Sequence, residues 1–138
     1  MAKNYAEVPM NLMTVPQGWV VCFTTDSNVD MGVGLPKLIN DTFHLGKQLT
    51  GEPFEAGTSE VVGNVAMLFV KESCYDRADE DYLRSAIKDL RKKCEEYGLD
   101  RLAMPKLCCG NNGMKWKVVK KMVKETFKDS DVFVMVCV

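Results

Sequence analysis

WVVCFTTDSNVDMGVGLPKLINDTFHLG, residues 19–46, decides how the chain folds. Its first seven residues are β-branched, aromatic or apolar almost throughout, as in a strand buried on both faces. A short polar loop follows, and then Met31, Gly32, Val33 and Gly34. Leu35, Leu38, Ile39 and Phe43 recur at helical spacing; Pro36 suits the first turn and Gly46 the stop. The stretch reads as strand, glycine-bearing loop, helix.

Working outward, residues 60–62 and 65–71 flank Gly63 and Asn64 and read as two strands joined by a tight turn. Residues 47–59, with Gly51, Pro53 and Gly57, read as an exposed loop. A helix is expected over about 79–97, with Tyr82, Leu83, Ala86, Ile87, Leu90 and Cys94 in one apolar stripe. Asp79, Glu80 and Asp81 complement its N-terminus and Gly98 ends it. Residues 101–104 form a short strand, 105–113 a second glycine-bearing loop, and about 115–128 a helix burying Trp116, Val119, Val123 and Phe127. The apolar run 132–138 reads as an interior strand, and a further strand is expected near 10–13. Strands alternating with helices predict one α/β domain with helices on both faces of a mixed sheet.

Composition excludes several classes. The 138 residues are 46% hydrophobic and 27% charged, which argues against disorder and coiled coil. Lys+Arg total 18 and Asp+Glu 19, so no broad electrostatic drive toward nucleic acid or anionic membrane is expected. No signal peptide or spanning segment is visible. The cysteines at 22, 74, 94, 108, 109 and 137 form no CxxC and sit in mostly apolar runs. They are expected as buried free thiols, which places the chain in a reducing cytoplasm. The lysines at 115, 117, 120, 121, 124 and 128 are expected to form a solvated helix face, and His44 an ordinary surface residue.

Both glycine-bearing loops leave a strand and enter a helix. Such loops present unpaired N–H groups and a positive helix end, a ready anion site. Two of them can hold a diphosphate. GxGxxG fails at Lys37, and no P-loop occurs.

At these loops the chain resembles the macro domain family of ADP-ribose-binding modules, and within it the branch that includes terminal ADP-ribose protein glycohydrolase. Four stretches carry the resemblance: Met10 with Asn11 and Leu12; Met31, Gly32, Val33, Gly34 and Leu35; residues 68–71; and MPKLCCGNNGMKW, residues 104–116. The last reads like the family's proline and glycine-cysteine-glycine loop before a tryptophan. The resemblance implies a three-layer α/β/α sandwich with about six strands, one macro domain over 1–138.

It also implies roles. Residues 31–35 and the loop holding Pro105, Leu107, Cys108, Cys109, Gly110, Asn111, Asn112 and Gly113 would clasp the pyrophosphate and distal ribose. Asn11, beside Leu12, stands where the family's adenine-binding aspartate falls. Lys71 matches the branch's Schiff-base lysine, and Asn112 its assisting aspartate. An amide cannot act as a general base. Cys108 replaces a family glycine, and Asp26 replaces a small hydroxyl residue on the ligand-facing loop, where it would either repel phosphate or stand in for the missing carboxylate. The leading expectation is binding of ADP-ribose or terminal ADP-ribosyl groups, with weak hydrolase activity through Lys71. The alternatives are an active hydrolase of ADP-ribosyl links, esters or phosphates, and an interaction module without ligand binding. No cofactor, metal, membrane or general nucleic-acid partner is expected, and the chain is expected to be monomeric.

Overall fold

The computed structural model describes residues 4–29, 34–43, 54–73, 75–110 and 112–138. Strand β1 is Tyr5–Val8, β2 Val20–Asp26, β3 Ser59–Val62, β4 Val65–Lys71, β5 Arg101–Met104 and β6 Phe133–Cys137. Helix α1 is Gly34–Phe43, α2 Glu80–Tyr97 and α3 Trp116–Phe127. The six strands form one sheet in the order β1-β6-β5-β2-β4-β3. Only β3 runs antiparallel to its neighbour; every other pairing is parallel.

Period-two alternation divides the sheet into two cores. Val20 and Cys22 of β2 and Ala66, Leu68 and Val70 of β4 face α2 and α3, meeting Leu83, Ile87, Leu90, Val119 and Val123. Val21 and Phe23, with Val65, Met67 and Phe69, face the other way, toward Ile39 of α1 and Leu12. A strand apolar on both faces needs a cover on each side, which is why the layers are α/β/α.

The expected strand near 10–13 is corrected. Leu12–Thr14 is a 3-10 turn, and the strand lies upstream at Tyr5–Val8. Asn11 Oδ1 accepts from Met13 N at 2.9 Å and Thr14 Oγ1 donates to Asn11 O at 2.8 Å, local bonds that compete with a ladder. Asn4 pins β1 instead, its Nδ2 donating to Phe127 O and Val132 O at 2.7 and 2.8 Å. Trp116 and Tyr82 are half-buried rather than buried. Cys22, Cys94, Cys108 and Cys137 are buried free thiols as expected; Cys109 is partly exposed. Cys74 and His44 lie outside the described residues.

The lysine face of α3 is not uniformly solvated. Lys120 pairs with Glu7 at 2.8 Å, and Lys124 lies over the Tyr5 ring at 5.0 Å. Lys117 and Lys121 emerge on the other side, toward α2. Among the described residues no helix is long and apolar enough to cross a membrane.

Two polar fixtures hold α2. Asp79 Oδ1 accepts from Asp81 N and Tyr82 N at 2.7 and 3.2 Å, an N-cap. Asp89 ties the helix to β3, accepting from Ser59 N and Ser59 Oγ at 2.8 Å and from Lys93 Nζ at 3.1 Å. Partial burial raises the Asp89 pKa, but these donors outweigh it and hold the carboxyl below its ordinary value. Asp79→Ala is expected to cost about 1 kcal/mol in urea denaturation. A depressed carboxyl stabilises the fold above the ordinary value of about 3.9 and loses that contribution as pH falls through the folded value. Asp89→Asn is therefore expected to be less stable at pH 7, with a shallower loss of stability between about pH 5 and 2 than the parent.

Candidate functional site at the carboxyl ends of the central strands

Strand β2 pairs with β5 on one side and β4 on the other, all parallel. The loops that leave these three strands therefore emerge together, at the edge where ligands bind in open α/β sheets. A register shift between Thr25 and Asp26 brings Lys71, rather than Val70, opposite Asp26. Such a bulge re-aims the side chains beside it.

The first loop is closed by its own polar groups. Asp26 is 1% exposed, and its Oδ2 accepts from Asn28 N at 3.1 Å. Ser27 N donates to Lys71 O at 2.9 Å, while Ser27 Oγ and Asn28 Nδ2 donate to Glu72 O at 3.1 and 3.0 Å. The Asp26 carboxylate thus organises the loop backbone from inside. Val29 follows at φ 56, a left-handed conformation that is costly for a β-branched residue. Met31, Gly32 and Val33 lie outside the described residues. Gly34 begins α1, and Leu35 packs half-buried against the core beneath it.

The second loop, after β5, is built differently. Cys109 N donates to Lys106 O at 3.2 Å, Gly113 N to Gly110 O at 3.0 Å, and Met114 N to Cys108 O at 2.9 Å. These bonds wind the chain into consecutive turns. The N–H groups of Leu107, Cys108, Gly110 and Asn112 donate to no acceptor among the described residues. Cys108 adopts φ 60 and Gly113 φ 71. Successive amides around left-handed residues form the concave nests that bind anions. A Cβ at Gly110 would meet nothing within 4 Å, so the approach to the loop is open. Asn111 lies outside the described residues.

Helix α3 starts directly behind this nest. Its N-cap, Lys115, makes no side-chain cap bond, so the positive helix end is uncovered. The N-cap of α2 at the same edge is filled by Asp79. Only one of these two helix ends is left for an external anion.

Some expected contact residues act from below. Leu107 is 1% and Cys108 6% exposed, so both side chains belong to the core and leave only main chain toward the loop's outer side. Cys108 Sγ donates to Thr24 Oγ1 at 3.8 Å. Burial pushes this thiol up to about 11, and Thr24 and the Lys71 ammonium only partly oppose the effect. Cys108 is thus a packing residue, not a poised nucleophile. Pro105 is half-buried where β5 ends, and Cys109 turns its thiol to Leu107 O at 3.3 Å.

Lys71 is half-buried at the end of β4 and forms no ion pair among the described residues. Asn112 is joined to the neighbouring loop: its Oδ1 accepts from Ala78 N at 3.3 Å. Asn11, on the far side, sits at the end of β1, three strand spacings or about 14 Å from β2. One lone pair of its Oδ1 already caps the 3-10 turn. Thr24, Ser27, Asn28 and Ala78 join the site only through register and turn geometry. Sequence reading missed them because no motif marks them.

Comparisons with known proteins bear on the family and the fold. A sequence model of the macro domain matches residues 36–123. The chain is 24% identical over 132 residues to the ADP-ribose glycohydrolase OARD1 of Bos taurus, covering 91% of this chain and 86% of that one. Against the Homo sapiens protein of the same name identity is 23% over 119 residues, covering 83% and 77%. Among solved structures, the macrodomain of Thermus aquaticus DarG superposes with a TM-score of 0.84 at 20% identity, over 97% of each chain. Thermosipho africanus DarTG in complex with ADP-ribose superposes with a TM-score of 0.75 at 15% identity, over 98% of this chain and 41% of that one. With more than half its length matched by the family's sequence pattern and its three layers shared with these structures, the chain belongs to the macro domain family.

Proposed function

We propose that the chain binds ADP-ribose or a terminal ADP-ribosyl group, as a single, monomeric macro domain in the cytoplasm. The observation that carries this reading is the run of unpaired amides at Leu107, Cys108, Gly110 and Asn112, backed by the uncapped start of α3. A pyrophosphate there accepts from donors that have no acceptor among the described residues, and the helix end favours its charge. The position of Asn11 suits the adenine end of an extended ligand, and Lys71 and Asn112 suit the distal ribose. Relatives named for ADP-ribose glycohydrolase activity, and a structural neighbour solved with ADP-ribose, support the same ligand.

The bulge that brings Lys71 to the edge supports a second reading, weak hydrolysis. Its amine, once deprotonated, attacks the anomeric carbon and displaces the acyl oxygen. The ribose opens to a Schiff base, which water then hydrolyses. The family's assisting carboxylate is an amide here, Asn112, and Asp26 is occupied with its own loop. Binding without fast turnover follows.

Calorimetric titration with ADP-ribose is expected to show one site, and ligand at 100 times its Kd to stabilise the fold by about 2.7 kcal/mol. Absence of both heat and stabilisation would sink the binding reading. Borohydride with ADP-ribose is expected to trap an adduct in the parent and not in Lys71→Ala; equal adducts would remove the lysine's role. Asn112→Asp keeps an acceptor for Ala78 N and is expected to raise hydrolysis of a glutamate-linked ADP-ribosyl peptide by 10-fold or more, on the order of a general-base contribution. Unchanged inactivity would mean that more than the carboxylate is missing.

A further inference from the structure

Helices α2 and α3 follow parallel strands, so they run side by side in the same direction on one face of the sheet. On their outer side they frame an open groove of about 960 Å³, on the helix layer rather than at the loop edge. Arg84, Lys88 and Arg91 line it from α2, and Lys117 and Lys121 from α3, against one carboxylate, Glu125.

These cations are not equivalent. Arg84 is held by Glu80 and Asp81, each at 3.2 Å, and Arg91 by Glu95 at 3.1 Å and by Thr126 O at 2.7 Å. Lys121 and Glu125 stand 4.0 Å apart. Lys88 and Lys117 form no ion pair among the described residues, so each rim carries an ammonium group that no carboxylate of the described chain pairs with. Between them the floor is apolar: Met122 is buried, and Val118 is 39% exposed.

A channel between two parallel helices, apolar along its floor and cationic along both rims, complements one kind of occupant. We propose that the α2–α3 groove docks an acidic amphipathic helix of a partner protein, its apolar side chains on Val118 and Met122 and its carboxylates on Lys88 and Lys117. A third helix seats in such a groove by ordinary ridge packing. A nucleic-acid strand fits less well, because among the described residues no aromatic side chain lines the groove to stack on a base. Both arginine planes are, besides, already held by their own chain's acceptors.

The test is fluorescence anisotropy with a labelled peptide of about 18 residues, leucine at every third or fourth position and glutamate elsewhere. The peptide is expected to bind the full chain and to weaken with salt. The Lys88→Glu, Lys117→Glu double variant is expected to raise Kd by at least about tenfold, and Lys→Arg at both positions to preserve binding. The same peptide with serine in place of leucine is expected to bind at least about tenfold more weakly to the unaltered chain. Failure of the peptide to bind, indifference to the leucines, indifference to charge reversal, or tighter binding of a single-stranded oligonucleotide of equal charge would each overturn the proposal.

Discussion

The parallel pairing of β2 between β5 and β4 is the constraint on which the site depends. Three strands aligned in one direction deliver three loops to one edge, and each loop meets different chemistry there. The described start of the β2 loop, residues 27–29, is held by the buried Asp26 carboxylate and by bonds to Lys71 O and Glu72 O. At the end of the β4 loop Asp79 caps the first amides of α2. The β5 loop keeps a run of main-chain donors without an acceptor among the described residues, and the helix behind it has no side-chain cap. On the proposed function, ligand specificity rests on what is left unpaired as much as on which side chains are present.

Cys108 shows how the fold holds this arrangement. Its φ of 60 is unfavourable for a residue with a Cβ, by roughly 1 kcal/mol. Its side chain offsets the strain by packing into the core with Leu107. Burial also keeps the thiol protonated, so the residue beside the open amides adds no negative charge that would compete with phosphate. A net charge of -1 is no obstacle to binding a diphosphate when backbone dipoles supply the attraction.

Much of the architecture is legible from pattern. The apolar runs at 19–25 and 65–71 specify doubly covered strands, and Asp79 and Gly98 mark the ends of α2, where the cap bonds and a left-handed Gly98 at φ 69 are found. The edge strand β1 is not legible. Its four residues carry no strong alternation, and its place is set by Asn4 reaching the far end of α3. At the site, the glycine-bearing loop after β5 announces itself by composition, whereas the direction of each side chain does not. Leu107 and Cys108 look like loop residues until the turns around them show that they point into the core. Asp26 reads from sequence as a ligand-facing carboxylate, while in the fold it is buried and accepts from Asn28 N. The division of the lysine face of α3 follows from i, i+4 geometry: 117 and 121 turn toward α2, 120 and 124 toward β1.

The central claim is that the open amides of the β5–α3 loop hold the anion. Backbone amide chemical shifts recorded by nuclear magnetic resonance during titration with ADP-ribose test it directly. The largest changes are expected at Leu107, Cys108, Gly110 and Asn112 and at the first amides of α3, Trp116 and Lys117, with the start of α2 little affected. Changes confined to the α2–α3 groove or to the capped start of α2, with the β5–α3 loop unmoved at saturation, would contradict the account.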